Sequence, residues 1–225
     1  MSEKAIKTVL VCYTQGAFDK LALTPAENEY TDESDGSDEL VAGSRQIAVL
    51  AEKLTLALQS LEVEAEIVRV PLRSYAPRDL SKAAFGWRLL DLTESNGRPI
   101  DMLICLDFPA WSVSHPRKLC WVLTLPFFVT RQQVSSPLLR PKTAPGQHPG
   151  NGANHSSNET ALNINSLLQT ERRGLAEARR VLAAQRSVAE ELARSGLQLE
   201  YNPAPSAEAE PTGEAWQKVA RRFLV

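Results

Sequence analysis

The feature that most constrains this chain is an alternation repeated along nearly all of its 225 residues. Short, continuously apolar runs alternate with longer segments whose apolar residues recur at steps of three and four. Thr8 to Tyr13, Val63 to Val70, Ile100 to Leu106, Leu119 to Leu125, Arg179 to Ala184 and Leu197 to Tyr201 are strand-like. Between them, Ile47, Leu50, Ala51, Leu54, Leu58 and Leu61 mark one face of a helix that Ser44 is placed to cap. Asp79 to Leu92 and Leu162 to Ala178 read as two further helices. A fourth runs from a Ser187 cap to Arg194 and stops at Gly196. Strands without polar alternation suit a parallel sheet covered on both faces. The expected fold is therefore α/β, a single Rossmann-like doubly wound parallel sheet.

Two stretches break the pattern. Glu27 to Glu39 holds seven carboxylates, and no basic residue lies between Lys20 and Arg45. From 134 to 160 the composition turns to Ser, Pro, Gly, Asn and His. Both are expected to be flexible insertions, at about 17–42 and 134–160, because neither can bury enough apolar surface to offset its ordering entropy. Pro71 is expected to end the second strand, and Asn96-Gly97-Arg98-Pro99 to form a turn. The domain is read as 1–203, followed by a linker over 204–212. A helix over 213–225 is expected to pack on the domain through Trp216, Val219, Ala220 and Phe223.

Composition narrows the function. The formal net charge of −2 argues for neither a nucleic-acid nor an anionic-membrane partner. No apolar run approaches the roughly 20 residues of a membrane span, and the N-terminus lacks a signal-peptide layout. Cys12, Cys105 and Cys120 lie in apolar runs without metal-ligand spacing, so they read as buried free thiols in a reducing, cytoplasmic setting. The loop after the first strand has only Gln15-Gly16-Ala17, which excludes both the dinucleotide and the P-loop fingerprints. No metal or cofactor is expected. His148 and His155 lack the companions a metal site needs, and Ser112 and Ser114 lack a nucleophile elbow. Asp107, at the end of a strand, stands where catalytic carboxylates often sit, although a capping role is the commoner fate. His115, before Pro116, is weighed as an acceptor-site group against a turn residue, with the turn favoured. Trp87, Trp111 and Trp121 read as packing residues rather than stacking platforms.

Several stretches, in order, carry a resemblance. They are Val68 to Leu92 (VRVPLRSYAPRDLSKAAFGWRLLDL), Gly97-Arg98-Pro99-Ile100-Asp101, Phe108-Pro109-Ala110-Trp111, His115-Pro116-Arg117-Lys118 with Trp121, Arg172 to Leu192, and Tyr201-Asn202-Pro203. Together they resemble the N-terminal, acceptor-side lobe of the family-four retaining glycosyltransferases of GT-B fold. Gly213 to Val225 resembles the terminal helix that crosses back onto that lobe. The resemblance implies acceptor or cleft candidates Gly43, Ser44, Asp107, Phe108 and His115. It also shows departures. Ala42-Gly43 replaces a paired glycine, Thr124-Leu125-Pro126-Phe127 replaces a histidine-rich cleft stretch, and the donor-binding lobe expected after Pro203 is missing.

The function implied is a glycosyltransferase-like, non-catalytic accessory or regulatory subunit in glycan or polysaccharide biosynthesis. Its partner would be another protein chain, either a full-length transferase or a donor lobe. A sugar or glycolipid acceptor is the other ligand implied. The alternative is the acceptor-binding half of a split glycosyltransferase, in which the apolar face of the last helix would contact the partner.

Overall fold

The computed structural model describes residues 6–16, 37–134, 154–206 and 208–225, and gives the backbone alone over 37–45, 131–134 and 154–163. Six strands form one parallel sheet: β1 (Thr8–Gly16), β2 (Glu64–Leu72), β5 (Met102–Cys105), β6 (Lys118–Val122), β7 (Arg180–Ala183) and β8 (Glu200–Tyr201). A two-strand hairpin, β3 (Glu94–Ser95) and β4 (Arg98–Pro99), stands apart from it. Asn96 and Gly97 make its turn, with φ of 52° and 74°. Both lie in the left-handed region that favours this residue pair.

The order across the sheet is β2-β1-β5-β6-β7-β8. The chain steps outward from β1 to β2, then returns past β1 and runs the other way. Crossovers between parallel strands are right-handed, so the reversal sends helices to opposite faces. One face is covered by α1 (Ser37–Gln59) and α6 (Glu214–Phe223), over a core that includes Val11, Leu54, Leu58, Trp121, Trp216 and Phe223. The other is covered by α2 (Pro77–Leu89), a 3-10 turn (Ala110–Ser112), α3 (Phe127–Val134), α4 (Asn154–Ala176) and α5 (Arg186–Arg194), over Leu10, Trp87, Leu103, Val122, Leu175 and Leu192.

The α/β architecture and the terminal helix match the expectations, and several boundaries do not. Helix α1 begins at Ser37, so Ser44 lies inside it and is not its cap. Leu40 extends the apolar spacing by a further seven residues from Ile47, and no proline intervenes. Of the two expected insertions, 17–36 and 135–153 lie outside the described residues. The parts that are described, 37–42, 134 and 154–160, are helical. Asn154 to Arg173 is polar but free of glycine and proline, and polarity alone does not stop a helix.

Pro71 does not end β2, which continues to Leu72. β2 is an edge strand, the part of a sheet where proline is tolerated. Helix α3 had no counterpart in the sequence reading. It begins after Pro126, whose carbonyl accepts from the Val129 and Thr130 amides. Gln185, not Ser187, occupies the cap of α5, without a side-chain capping bond. Gly196 follows that helix as expected, with φ of 84°, the left-handed conformation usual after a helix end. No helix among the described residues is long and apolar enough to cross a membrane.

Candidate functional site

In open sheets of this topology, ligands bind beyond the carboxyl ends of the strands, where the strand order reverses. That point lies between β1 and β5. β1 reaches it at Thr14, and β5 leads there through Leu106 to Asp107. The Asp107 carboxylate accepts from the Thr14 amide through both oxygens, at 3.0 and 3.2 Å. The Thr14 hydroxyl accepts from the Trp87 indole N–H at 3.1 Å. The Asp107 carbonyl accepts from the Trp111 amide at 3.0 Å, which starts the 3-10 turn. Phe108 is buried and lies tilted against Trp111, with ring centroids 6.3 Å apart.

A second aspartate shows what this arrangement achieves. Asp101 precedes β5, and its carboxylate accepts from the Lys7 amide at 2.9 Å and from the Thr8 amide and hydroxyl, each at 3.3 Å. Aspartates thus flank β5, and each grips the backbone at the matching end of β1. Charge-assisted bonds are stronger than neutral ones, and these tie the two neighbouring strands β1 and β5 together at both ends. Asp107 therefore works as a clamp on strand β1.

His115 lies elsewhere. It precedes β6, at the amino-terminal edge of the sheet, opposite to Asp107. Its Nδ1 accepts from the Arg117 amide at 3.1 Å. Nε2 therefore carries the ring proton and donates it to the Ile100 carbonyl at 3.2 Å. Burial pushes its pKa below the ordinary histidine value, against the raising effect of the Ile100 and Arg117 backbone bonds. The ring is a neutral turn residue joining the starts of β5 and β6. Gly43 and Ser44 lie within α1, in the part where the backbone alone is described. Of the five candidates, the structure brings together Asp107 and Phe108.

The three thiols are fully buried on one face. The register places Cys12 beside Cys105, and Cys105 beside Cys120, in one row across β1, β5 and β6. No sequence spacing announces that row. The Cys12 thiol is pushed well up by its bond to Cys105 and by burial, and burial does the same to Cys120. Such thiols are inert packing groups. Among the described residues, no cluster of histidine, cysteine or carboxylate side chains could hold a metal. Trp87, Trp111 and Trp121 are all buried, as packing residues should be.

The sequence reading missed two buried charges. Lys118 is 1% exposed, and its ammonium donates to the Trp111 carbonyl at 2.7 Å and the Val113 carbonyl at 3.0 Å. Glu171, on α4, is equally buried and accepts from the Phe127 and Phe128 amides at 3.0 and 2.9 Å. It thereby caps the start of α3 from another helix. Burial raises its pKa to about 7, and the two amide bonds oppose that rise. Each reads in sequence as one more surface charge.

Several large apolar side chains are exposed among the described residues, Val49 and Leu56 on α1 at 46% each among them. Phe85 and Leu89, four residues apart on α2, are 65% and 67% exposed. Phe85 borders a hollow of about 260 Å³ between α2 and α4, together with Arg88, Arg173 and Glu177. Both arginines pair with Glu177. No family model, no curated protein and no solved structure matches the chain.

Proposed function

We propose that this protein is a non-catalytic accessory subunit that binds another protein chain, and that the chain it binds is a glycosyltransferase. The single observation that carries the binding reading is the pair Phe85 and Leu89. Val49 and Leu56 on α1 and Phe127 on α3 are also exposed, but among the described helices these two stand furthest into solvent, and Phe85 borders a groove edged by charges. Exposed apolar groups with a polar rim are the usual mark of a docking face. The non-catalytic part is supported by the switch point, where the Asp107 carboxylate is engaged by the Thr14 amide. The glycosyltransferase part rests on the sequence resemblance to an acceptor-side lobe.

In the split-enzyme alternative the last helix could serve as a docking strap, its apolar face contacting the partner. That face is already occupied: Trp216, Val219, Ala220 and Phe223 are buried in the domain's own core. The accessory reading needs no such strap.

The test is affinity capture with the full chain from native extract, with the captured proteins identified and the Phe85→Asp/Leu89→Asp double variant run in parallel. The reading expects a sugar transferase that is recovered with the wild type and lost with the variant. Turnover of UDP- or GDP-sugars by the purified chain alone would overturn it, as would recovery unaffected by the variant.

A further inference from the structure

Residues three and four apart share one face of a helix, and on α2 Arg78, Lys82, Phe85 and Leu89 form such a stripe. All four are exposed, and the stripe lies opposite the buried one of Leu80, Ala84 and Trp87. It is basic at its start and apolar at its end. On the side towards α4, Phe85 borders the hollow of about 260 Å³. Ala84 and Gly174 line that hollow with little bulk, and Arg88 and Arg173 stand at it from the two helices. It has room for one large apolar side chain, the kind of anchor that carries most of the energy of an interface.

Charge on this face is unbalanced. Its cations are Arg78 and Lys82 on the stripe and Arg88 and Arg173 at the hollow. Glu177 is the one carboxylate paired with them, and it serves both Arg88 and Arg173. Arg78 and Lys82 have no hydrogen bond or ion pair among the described residues. The nearest other carboxylates are turned to hydroxyl and amide groups. Asp79 accepts from the Ser74 hydroxyl at 2.5 Å, and Asp91 from the Thr93 amide and hydroxyl at 3.0 and 2.6 Å. A face with surplus positive charge around an apolar centre repels a basic partner and favours an acidic one.

We propose that the partner meets α2 with an acidic amphipathic helix. One apolar side chain enters the hollow, a second covers Leu89, and the flanking carboxylates meet Arg78, Lys82 and Arg173. This is the helix-in-groove mode of recognition. It rests on the accessory reading for the face and adds the chemistry of what covers it. A bilayer could cover Phe85 and Leu89 but would have no use for the hollow, so the geometry favours a peptide.

The probes are two fluorescent peptides of about 16 residues, long enough to hold a helix. Both carry leucines three and four apart; one is flanked by glutamates and the other by lysines. Anisotropy titrations with the full chain should show saturable binding of the glutamate peptide, about tenfold or more tighter than its lysine twin and weaker as salt is raised. Phe85→Asp/Leu89→Asp should abolish it. Arg78→Glu/Lys82→Glu alters exposed positions and leaves the core untouched; it should weaken binding about tenfold or more. The proposal falls if neither peptide binds, if the lysine twin binds equally well, or if the charge reversal leaves the affinity unchanged. It also falls if phosphatidylserine vesicles sediment the wild type and neither variant. Its fate is separable from that of the accessory reading. A transferase captured through Phe85 and Leu89 but indifferent to Arg78→Glu/Lys82→Glu would sink the acidic helix and keep the subunit. The glutamate peptide bound as expected, with no transferase captured, would do the reverse.

Discussion

The two faces of the sheet close in different ways. Beneath α1 and α6 the core is dry: Trp121 meets Trp216 edge-on at 6.3 Å and Phe223 at 5.4 Å. The buried hydroxyl of Thr55 bonds within its own helix, to the Ala51 carbonyl. Beneath α2 to α5 the core is laced with polar groups. Lys118 reaches two carbonyls of the 3-10 segment, Glu171 holds the start of α3, and Thr14 takes the Trp87 indole. Even the packing is tighter there. A Cβ on Gly174 would stand 2.9 Å from the Trp111 carbonyl oxygen, so α4 approaches that segment closely only because this residue is glycine. The first face rests mainly on apolar periodicity, with the Trp121 indole N–H donating to the Asn202 carbonyl at 2.9 Å. The second also needs each buried charge to find backbone partners from a distant segment, and it should therefore be the one whose stability responds to pH.

Four measurements can break or sharpen that contrast. The largest effect is expected on the dry face, where Trp216→Ala removes the ring packed on Trp121. Urea unfolding should show a loss of about 3–5 kcal/mol; a loss below about 1 kcal/mol would mean that α6 is not part of the core. Next comes Lys118→Met, which keeps the length of the side chain and leaves the Trp111 and Val113 carbonyls unpaired. The expected cost is about 2 kcal/mol, and a neutral or stabilising result would show those carbonyls to be solvated.

Third is pH. Glu171 is raised in the fold from 4.5 to about 7. The folded chain therefore binds more protons than the unfolded one between those values, and the contribution of Glu171 to stability falls as pH rises through that window. Wild type should lose on the order of 1–2 kcal/mol between pH 5 and pH 8 relative to Glu171→Gln. Parallel pH curves for the two proteins would contradict the assignment. His115 acts in the opposite sense: its lowered pKa gives stability that is present above the ordinary histidine value and is lost as pH falls through the folded one. Both proteins carry it, so it cancels in the comparison. The smallest effect belongs to neither face. The Arg98–Glu64 pair is exposed on both sides, with its charged atoms 3.5 Å apart. It should contribute no more than about 0.5 kcal/mol when Arg98 is changed to alanine.

The legible parts share a physical character. β1, β5, β6 and β7 are visible as apolar runs because a strand buried on both faces must be apolar at every position. Helix α6 is visible because Trp216, Val219, Ala220 and Phe223 fall on one face. Helix α3 escaped because its sequence, Phe127 to Val134, is too short for a period to declare itself, and its cap comes from Glu171 on another helix. The end of β2 was misjudged because Pro71 breaks an interior strand but not an edge, and edge status is a property of the whole sheet.

The site divides likewise. Asp107 was legible as the residue that ends a strand, while its partner Thr14, 93 positions away, was not. His115, eight residues from Asp107 in sequence, lies at the opposite end of the sheet, because the segment between them runs back to the start of β6.

The sequence by itself determined that alternating buried strands and amphipathic helices would build a parallel sheet with two covered faces. Periodicity is local information, and burial of apolar groups is enough to enforce it. The tertiary structure alone decided the strand order, which helices share a face, and which backbone amides meet Asp101, Asp107 and Glu171. Those pairings depend on register between segments far apart in the chain, and a hydrogen bond, unlike the hydrophobic effect, is formed only when donor and acceptor arrive within about 3 Å of one another.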